Sequence, residues 1–333
     1  MAEPGMTAAV AALWRRSLGP AAGLALSPAP ASGNNRVFVV RADGVTAIAK
    51  WYCDRGPGRR DRLDAEWRLL TYAAAAGIAC VPRPLARDDG AGLALHSHCP
   101  GTRPGPEDIG PAQVDAAAAF FRALNRPEFA AAAADLPEAA EAAFSAAAQF
   151  AILERRLDAL SAIAPSEART LVARLIRHWQ ELRPRLEREL AGLGRDLGTP
   201  LPAGERCVSP SDFGFHNALL DAGGALAFVD FEYAGWDDPA KAICDFLLQP
   251  AVPLDPRHHD RFVAAVLAGR PDSARLAARA RLMLPLFALK WCCIMLNPFL
   301  PAAARPAAGD DPAQHRRRQL AKAEAAFDSL LRR

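Results

Sequence analysis

Two different periodicities divide the apolar positions of this chain. From residue 34, "NNRVFVVRADGVTAIAKWY" holds two runs rich in β-branched and aromatic residues, 37–41 and 46–52, on either side of the turn "ADG". That pattern predicts a β-hairpin, with Lys50 near the end of its second strand. Just upstream, "PAPASGNNR" sets Gly33 before Asn34 and Asn35, a loop able to turn sharply and present backbone N–H groups. Leu63, Trp67, Leu70 and Ala74 then recur at a helical interval, with Glu66 beside the stripe and Gly77 as the stop. "GIACVPRPLA" reads as loop, and "GLALHSHCPGTRPGP" as a strand entering a Gly/Pro-rich connector at 99–106.

Beyond residue 111 the apolar spacing becomes helical. Phe150, Leu153, Leu157 and Leu160 form one stripe, Leu171, Leu175, Ile176, Trp179 and Leu182 another, and 282–296 is nearly all apolar, as in a buried helix. The helical run breaks at "ERCVSPSDFGFHNALLDAGGALAFVDFEYAGWDDP", where 217–220 and 225–229 read as short strands around the turn "DAGG". These patterns predict an α+β chain of two lobes, a β-rich one at 1–98 and a helical one at 99–333. The opening "MAEPGMTAAVAALWRRSLGP" carries Arg15 and Arg16 after its apolar part, the wrong polarity for a secretory signal. It predicts a short surface helix.

Composition narrows the setting. At 333 residues the chain is long enough to bury two lobes, and its net charge of +3 gives no pointer to nucleic acid. No uninterrupted apolar span reaches the ~18 residues that would suggest a membrane helix. Seven cysteines, at 53, 80, 99, 207, 244, 292 and 293, are odd in number and lack C-x-x-C spacing, which fits reduced, buried thiols in a cytoplasmic protein. Arginine supplies 36 of the 40 basic residues, because lysine stands only at 50, 241, 290 and 322. A lysine kept against that bias marks sites where a compact ammonium is needed and a planar guanidinium does not serve.

Four features follow one another in a telling order: a polar Gly loop before a hairpin, a strand lysine, a helix glutamate, then Asp212, Asn217 and Asp230. Each alone is weak. An Asp-x-x-x-x-Asn pair arises by chance, a strand lysine is commonly a solvated edge residue, and Glu66 could pair with Arg59 or Arg62. Together they supply what phosphoryl transfer requires, which is mostly positioning and charge neutralisation: N–H groups and an ammonium for phosphates, and oxygen ligands for magnesium.

At this point the residues resemble the aminoglycoside phosphotransferase and choline kinase family, small-molecule kinases with a protein-kinase-like bilobal fold. "AIAK" matches the strand motif whose lysine, Lys50, contacts the α and β phosphates, with Glu66 as its helix partner. "SDFGFHN" matches the catalytic loop, which makes Asp212 the expected base and Asn217 a magnesium ligand. "FVDFEYAGWDDPAKAICDF" matches the metal segment, with Asp230 on magnesium and Asp238, Pro239 and Asp245 holding the helical lobe together; Glu232 is a further candidate contact for metal or substrate. "SGNNR" matches the phosphate-covering loop, with Gly33, Asn34 and Asn35 at its tip, and the backbone of 96–99 would receive the base. The resemblance implies transfer of the γ-phosphoryl group of ATP, with GTP left open, to a hydroxyl of a small molecule, using Mg2+ and neither nucleic acid nor membrane partners.

One departure is clear. The family usually carries histidine two residues before the catalytic aspartate, and here Pro210 takes that place. It motivates an alternative reading as a catalytically silent, nucleotide-binding relative. His216, beyond Asp212, is expected to point elsewhere, and the segment 114–164 to cover the acceptor side. The acceptor itself, a sugar, an aminoglycoside-like compound or an amino alcohol, is left open.

Overall fold

The computed structural model describes residues 4–29, 35–53, 56, 58–163, 166–300 and 311–332. Helix α1 (Pro4–Leu18) leads into a five-stranded antiparallel sheet of β1 (Ala25–Pro28), β2 (Asn35–Ala42), β3 (Val45–Tyr52), β4 (Pro84–Asp88) and β5 (Leu93–Ser97), in the order β1-β2-β3-β5-β4. The expected hairpin is β2–β3. Its register closes at Ala42↔Val45, and Asp43 (φ 48°) and Gly44 (φ 76°) supply the two left-handed residues that a tight two-residue turn demands.

Two expectations for this lobe are corrected. The first helix is not a surface element: Met6, Val10, Leu13 and Trp14 form a stripe that buries against Phe38, Val40, Ala47, Leu93 and Leu95, and Arg16 is tied to Asp88 at 2.6 Å. The stretch after Gly77 is not all loop, since 84–88 forms β4. Its prolines hid it, yet Pro84 begins an edge strand, where a missing N–H costs no ladder bond.

Helix α2 (Arg62–Ala75) starts at Asp61, whose carboxylate caps Asp64 N at 3.0 Å. Leu63 packs with Tyr52 and Ala94 beneath the sheet. Leu69, Leu70, Tyr72, Ala73 and Ala76 instead join the larger core, so this one helix is shared by both lobes.

That larger core is made by α3 (Pro111–Leu124), α4 (Ala146–Ile163), α5 (Ser166–Ala191), α6 (Pro239–Leu248), α7 (His259–Leu267), α8 (Ser273–Met295) and α9 (Pro312–Leu331). Two small antiparallel pairs sit on it: β6 (Cys207–Ser209) with β9 (Gly235–Asp237), and β7 (Ala218–Leu220) with β8 (Leu226–Phe228). The β7–β8 hairpin is the one expected around "DAGG", but Asn217 ends a helical turn at Phe215–Asn217 rather than opening the strand. Beneath these pairs lies an aromatic cluster. The Phe213 and Phe246 rings are 4.6 Å apart, and Phe120 stacks on Phe228 at the same distance. Phe213 follows Asp212 directly, so this cluster fixes the loop that carries the acid.

All seven cysteines are free. Cys207, Cys244, Cys292 and Cys293 are buried as expected, whereas Cys53 is exposed.

Candidate active site

Lys50 stands on β3, the middle strand of five, and not on a solvated edge. Its Nζ lies 2.6 Å from Glu66 Oε2, 2.5 Å from Asp230 Oδ1 and 3.8 Å from Glu232 Oε2. Burial alone would lower the lysine's pKa, but the pull of Glu66, Asp230 and Glu232 outweighs it and holds the ammonium above its usual range. Glu66, on α2, is itself fixed by the Tyr52 hydroxyl at 2.7 Å and by Phe231 N at 3.2 Å. Arg62, one of the two arginines that could have claimed Glu66, pairs with Glu232 at 3.3 Å.

The loop 209–217 brings Asp212 and Asn217 together. The Asn217 amide donates to the Asp212 carbonyl at 3.0 Å and to its Oδ2 at 3.3 Å, which leaves Asn217 Oδ1 as the atom available to a cation. Ser211 adopts φ 65° and Asp230 φ 69°, left-handed values that non-glycine residues enter at a cost on the order of 1 kcal/mol. Both lie in the two loops that carry Asp212 and Asp230. Two buried ion pairs brace them from below. Lys241 Nζ bonds Asp237 at 2.6 Å and Ser211 Oγ at 3.4 Å, and Arg279 grips Asp238 with both terminal nitrogens, at 2.5 and 2.6 Å. Asp238 also caps α6, and Asp245 accepts from Lys290 and Trp291. Asp238 and Asp245 thus sit in packing roles, as the resemblance implied.

Glu232 is engaged by other residues of the protein. It is buried, accepts from Asn35 Nδ2, pairs with Arg62 and lies near Lys50. Asn35 is thereby placed at the site, whereas Gly33 and Asn34 lie outside the described residues. Sequence reasoning missed three contributors. Arg60 donates to the carbonyls of Glu138, Glu232 and Ala234; Tyr52 orients Glu66; and His216, expected to point away, places Nε2 3.2 Å from Asp212 Oδ1. Lys241 had left a signal, because it is one of four lysines in an arginine-dominated chain.

The donor set suits magnesium in kind: Asn217 and Asp230 offer hard oxygen ligands and no sulfur or imidazole. It does not suffice in number. Among the described residues no cluster of three or more His, Cys, Asp or Glu could hold a metal ion, so most of an octahedral shell would come from phosphate oxygens and water.

A buried ammonium, a carboxylate next to an amide, and a second carboxylate facing that ammonium come together on a kinase-like fold. Residues 26–279 match the phosphotransferase enzyme family, APH, and the chain belongs to that family. It is a small-molecule phosphotransferase. No match was found among curated proteins. Among solved structures it is similar to the choline kinase LicA of Streptococcus pneumoniae (14% identity, 98% of this chain and 99% of that one, TM-score 0.60). It is also similar to a spectinomycin phosphotransferase bound to ADP and spectinomycin (9%, 98% and 99%, TM-score 0.61). A third likeness is to the macrolide 2'-phosphotransferase MphH of Brachybacterium faecium (20%, 96% and 98%, TM-score 0.54). At these identities the structures speak to fold alone.

Proposed function

We propose that the protein transfers the γ-phosphoryl group of ATP to a hydroxyl of a small molecule, with Asp212 as the base. The observation that carries this reading is the convergence of Lys50 and Asp230, 2.5 Å apart, with the Asp212–Asn217 pair on a neighbouring loop that accepts from Val229 N through Asn217 O. ATP as the donor is taken from the family at large.

In this mechanism Lys50, held by Glu66, takes the non-transferred phosphates and gives up part of its bond to Asp230 in doing so. Asn217 and Asp230 would hold Mg2+, which when bound neutralises charge on the β and γ oxygens. Asp212 accepts or orients the proton of the acceptor hydroxyl as the oxygen attacks the γ-phosphorus and the bond to the β-phosphate oxygen breaks. Asp212 remains about one-third exposed, which suits a group that must meet a diffusing acceptor.

The acceptor would enter beside segment 137–141, part of the stretch 114–164, because that segment is bonded to the loops carrying Asp212 and Asp230. Ala139 N and Ala140 N donate to Trp236 O and Tyr233 O, and Ser211 Oγ donates to Ala140 O. A panel of sugars, amino alcohols and aminoglycosides, incubated with MgATP and read by 31P NMR, tests the reading. A phosphomonoester signal from at least one compound is expected. Nucleotide binding with neither phosphomonoester nor ADP formation across the panel, and none from water, would overturn it in favour of a silent binder.

A further inference from the structure

The carboxylate of Asp212 is addressed at both oxygens. Asn217 Nδ2 reaches Oδ2 at 3.3 Å, and His216 Nε2 reaches Oδ1 at 3.2 Å. The imidazole is mostly buried, with 15% of its side chain exposed. It is seated over Gly214: a Cβ at that position would lie 2.8 Å from His216 Nδ1 and 2.9 Å from Gln249 Cγ, so only a residue without a side chain leaves room for the ring there. Nδ1 is buried and without a hydrogen-bond partner among the described residues. A buried N–H left unpaired costs about 1–3 kcal/mol, so the proton of the neutral ring belongs on Nε2, where a carboxylate receives it.

We propose that His216 is a positioning residue for Asp212, its Nε2–H fixing Oδ1 so that the carboxylate stays aimed at the acceptor hydroxyl. This rests on the reading of Asp212 as the base. The arrangement is specific to this chain's own loop: Pro210 removes the imidazole that would support the aspartate from before it, and the pair Gly214 and His216 supplies one from after it. The histidine does not touch the reacting atoms. It narrows the rotamers of the acid that does, and a side chain held in the productive geometry lowers the barrier without changing how tightly nucleotide binds.

The test combines a direct view of the ring with kinetics. Two-dimensional 15N NMR of histidine-labelled protein at pH 8.5 should show His216 as the Nε2–H tautomer, with its signal moved by Asp212→Asn. ADP release from MgATP, with water as acceptor, should fall roughly tenfold in His216→Ala at unchanged nucleotide Kd, the loss of about one charge-assisted hydrogen bond. His216→Gln, whose amide N–H can take the place of Nε2–H, should recover most of the rate. A bare Nε2 in the wild type, a wild-type rate in His216→Ala, or a glutamine variant as slow as the alanine one would each overturn the proposal. If Asp212→Ala itself turned over at the wild-type rate, the phosphotransfer reading would fall, and this inference with it.

Discussion

Three of the four lysines in this arginine-dominated chain are buried in ion pairs: Lys50 with Glu66 and Asp230, Lys241 with Asp237, and Lys290 with Asp245. Each pairing sets a compact ammonium against at least one carboxylate. Lys50→Arg should therefore fold yet lose roughly tenfold or more in nucleotide affinity, measurable by calorimetry, because the guanidinium cannot reproduce one short contact to each of two acids. His96 offers a separate residue-scale test. It lies on β5 opposite Ile48, 3% exposed, with neither ring nitrogen bonded among the described residues. Burial, helped by the nearby Lys50 cation, pushes its pKa from 6.5 down to about 3. The unfolded chain takes up a proton there near pH 6.5 and the folded chain does not, so acidification through that window favours unfolding. Between pH 7 and 5 the wild type should lose about 2 kcal/mol more stability than His96→Leu, read from urea denaturation at each pH. Equal losses would mean that the imidazole finds a partner.

At the scale of elements, what was legible followed from strong local patterns. The β2–β3 hairpin carried its turn residues, α2 its stripe and its glycine stop, and α8 its nearly all-apolar run, so each could be read without tertiary knowledge. The β6–β9 pair could not. Its strands are three residues long and 26 residues apart, and they meet because Gly235 lets segment 137–139 close over them. A Cβ at Gly235 would stand 2.1 Å from Pro137 O and 2.7 Å from Ala139 N, both backbone atoms that cannot swing aside. Gly235→Ala should lower the thermal midpoint by several degrees and slow ADP release, since β9 positions the catalytic loop through Ser209 and Lys241. The packing of α1 was missed because its stripe is short and Ala-rich, which reads as surface. Trp14→Ala should cost about 3–5 kcal/mol in chemical denaturation, the range for a large buried aromatic; a change under 1 kcal/mol would return the helix to the surface.

For the molecule as a whole, the site is a junction. The order of lysine, glutamate, Asp-Asn and second aspartate was readable because those residues come in motifs of fixed spacing; Arg60 and Tyr52 were not, since they act on residues far along the chain, and His216, although only four residues from Asp212, was missed because the turn that swings it back depends on how the loop packs. Arg60 binds three carbonyls of the helical lobe from the loop before α2, while Arg62 and Asn35 converge on Glu232. Glu232 consequently serves the contact between the lobes. Everything else follows from one claim, that Lys50, Asp212, Asn217 and Asp230 together move a phosphoryl group. Magnesium-dependent ADP release from ATP, followed side by side in the wild type, Asp212→Ala and Asp230→Ala, tests it most directly. The account predicts turnover in the wild type that vanishes without magnesium and falls at least a hundredfold in both variants; turnover that persists in either variant at the wild-type rate would contradict it.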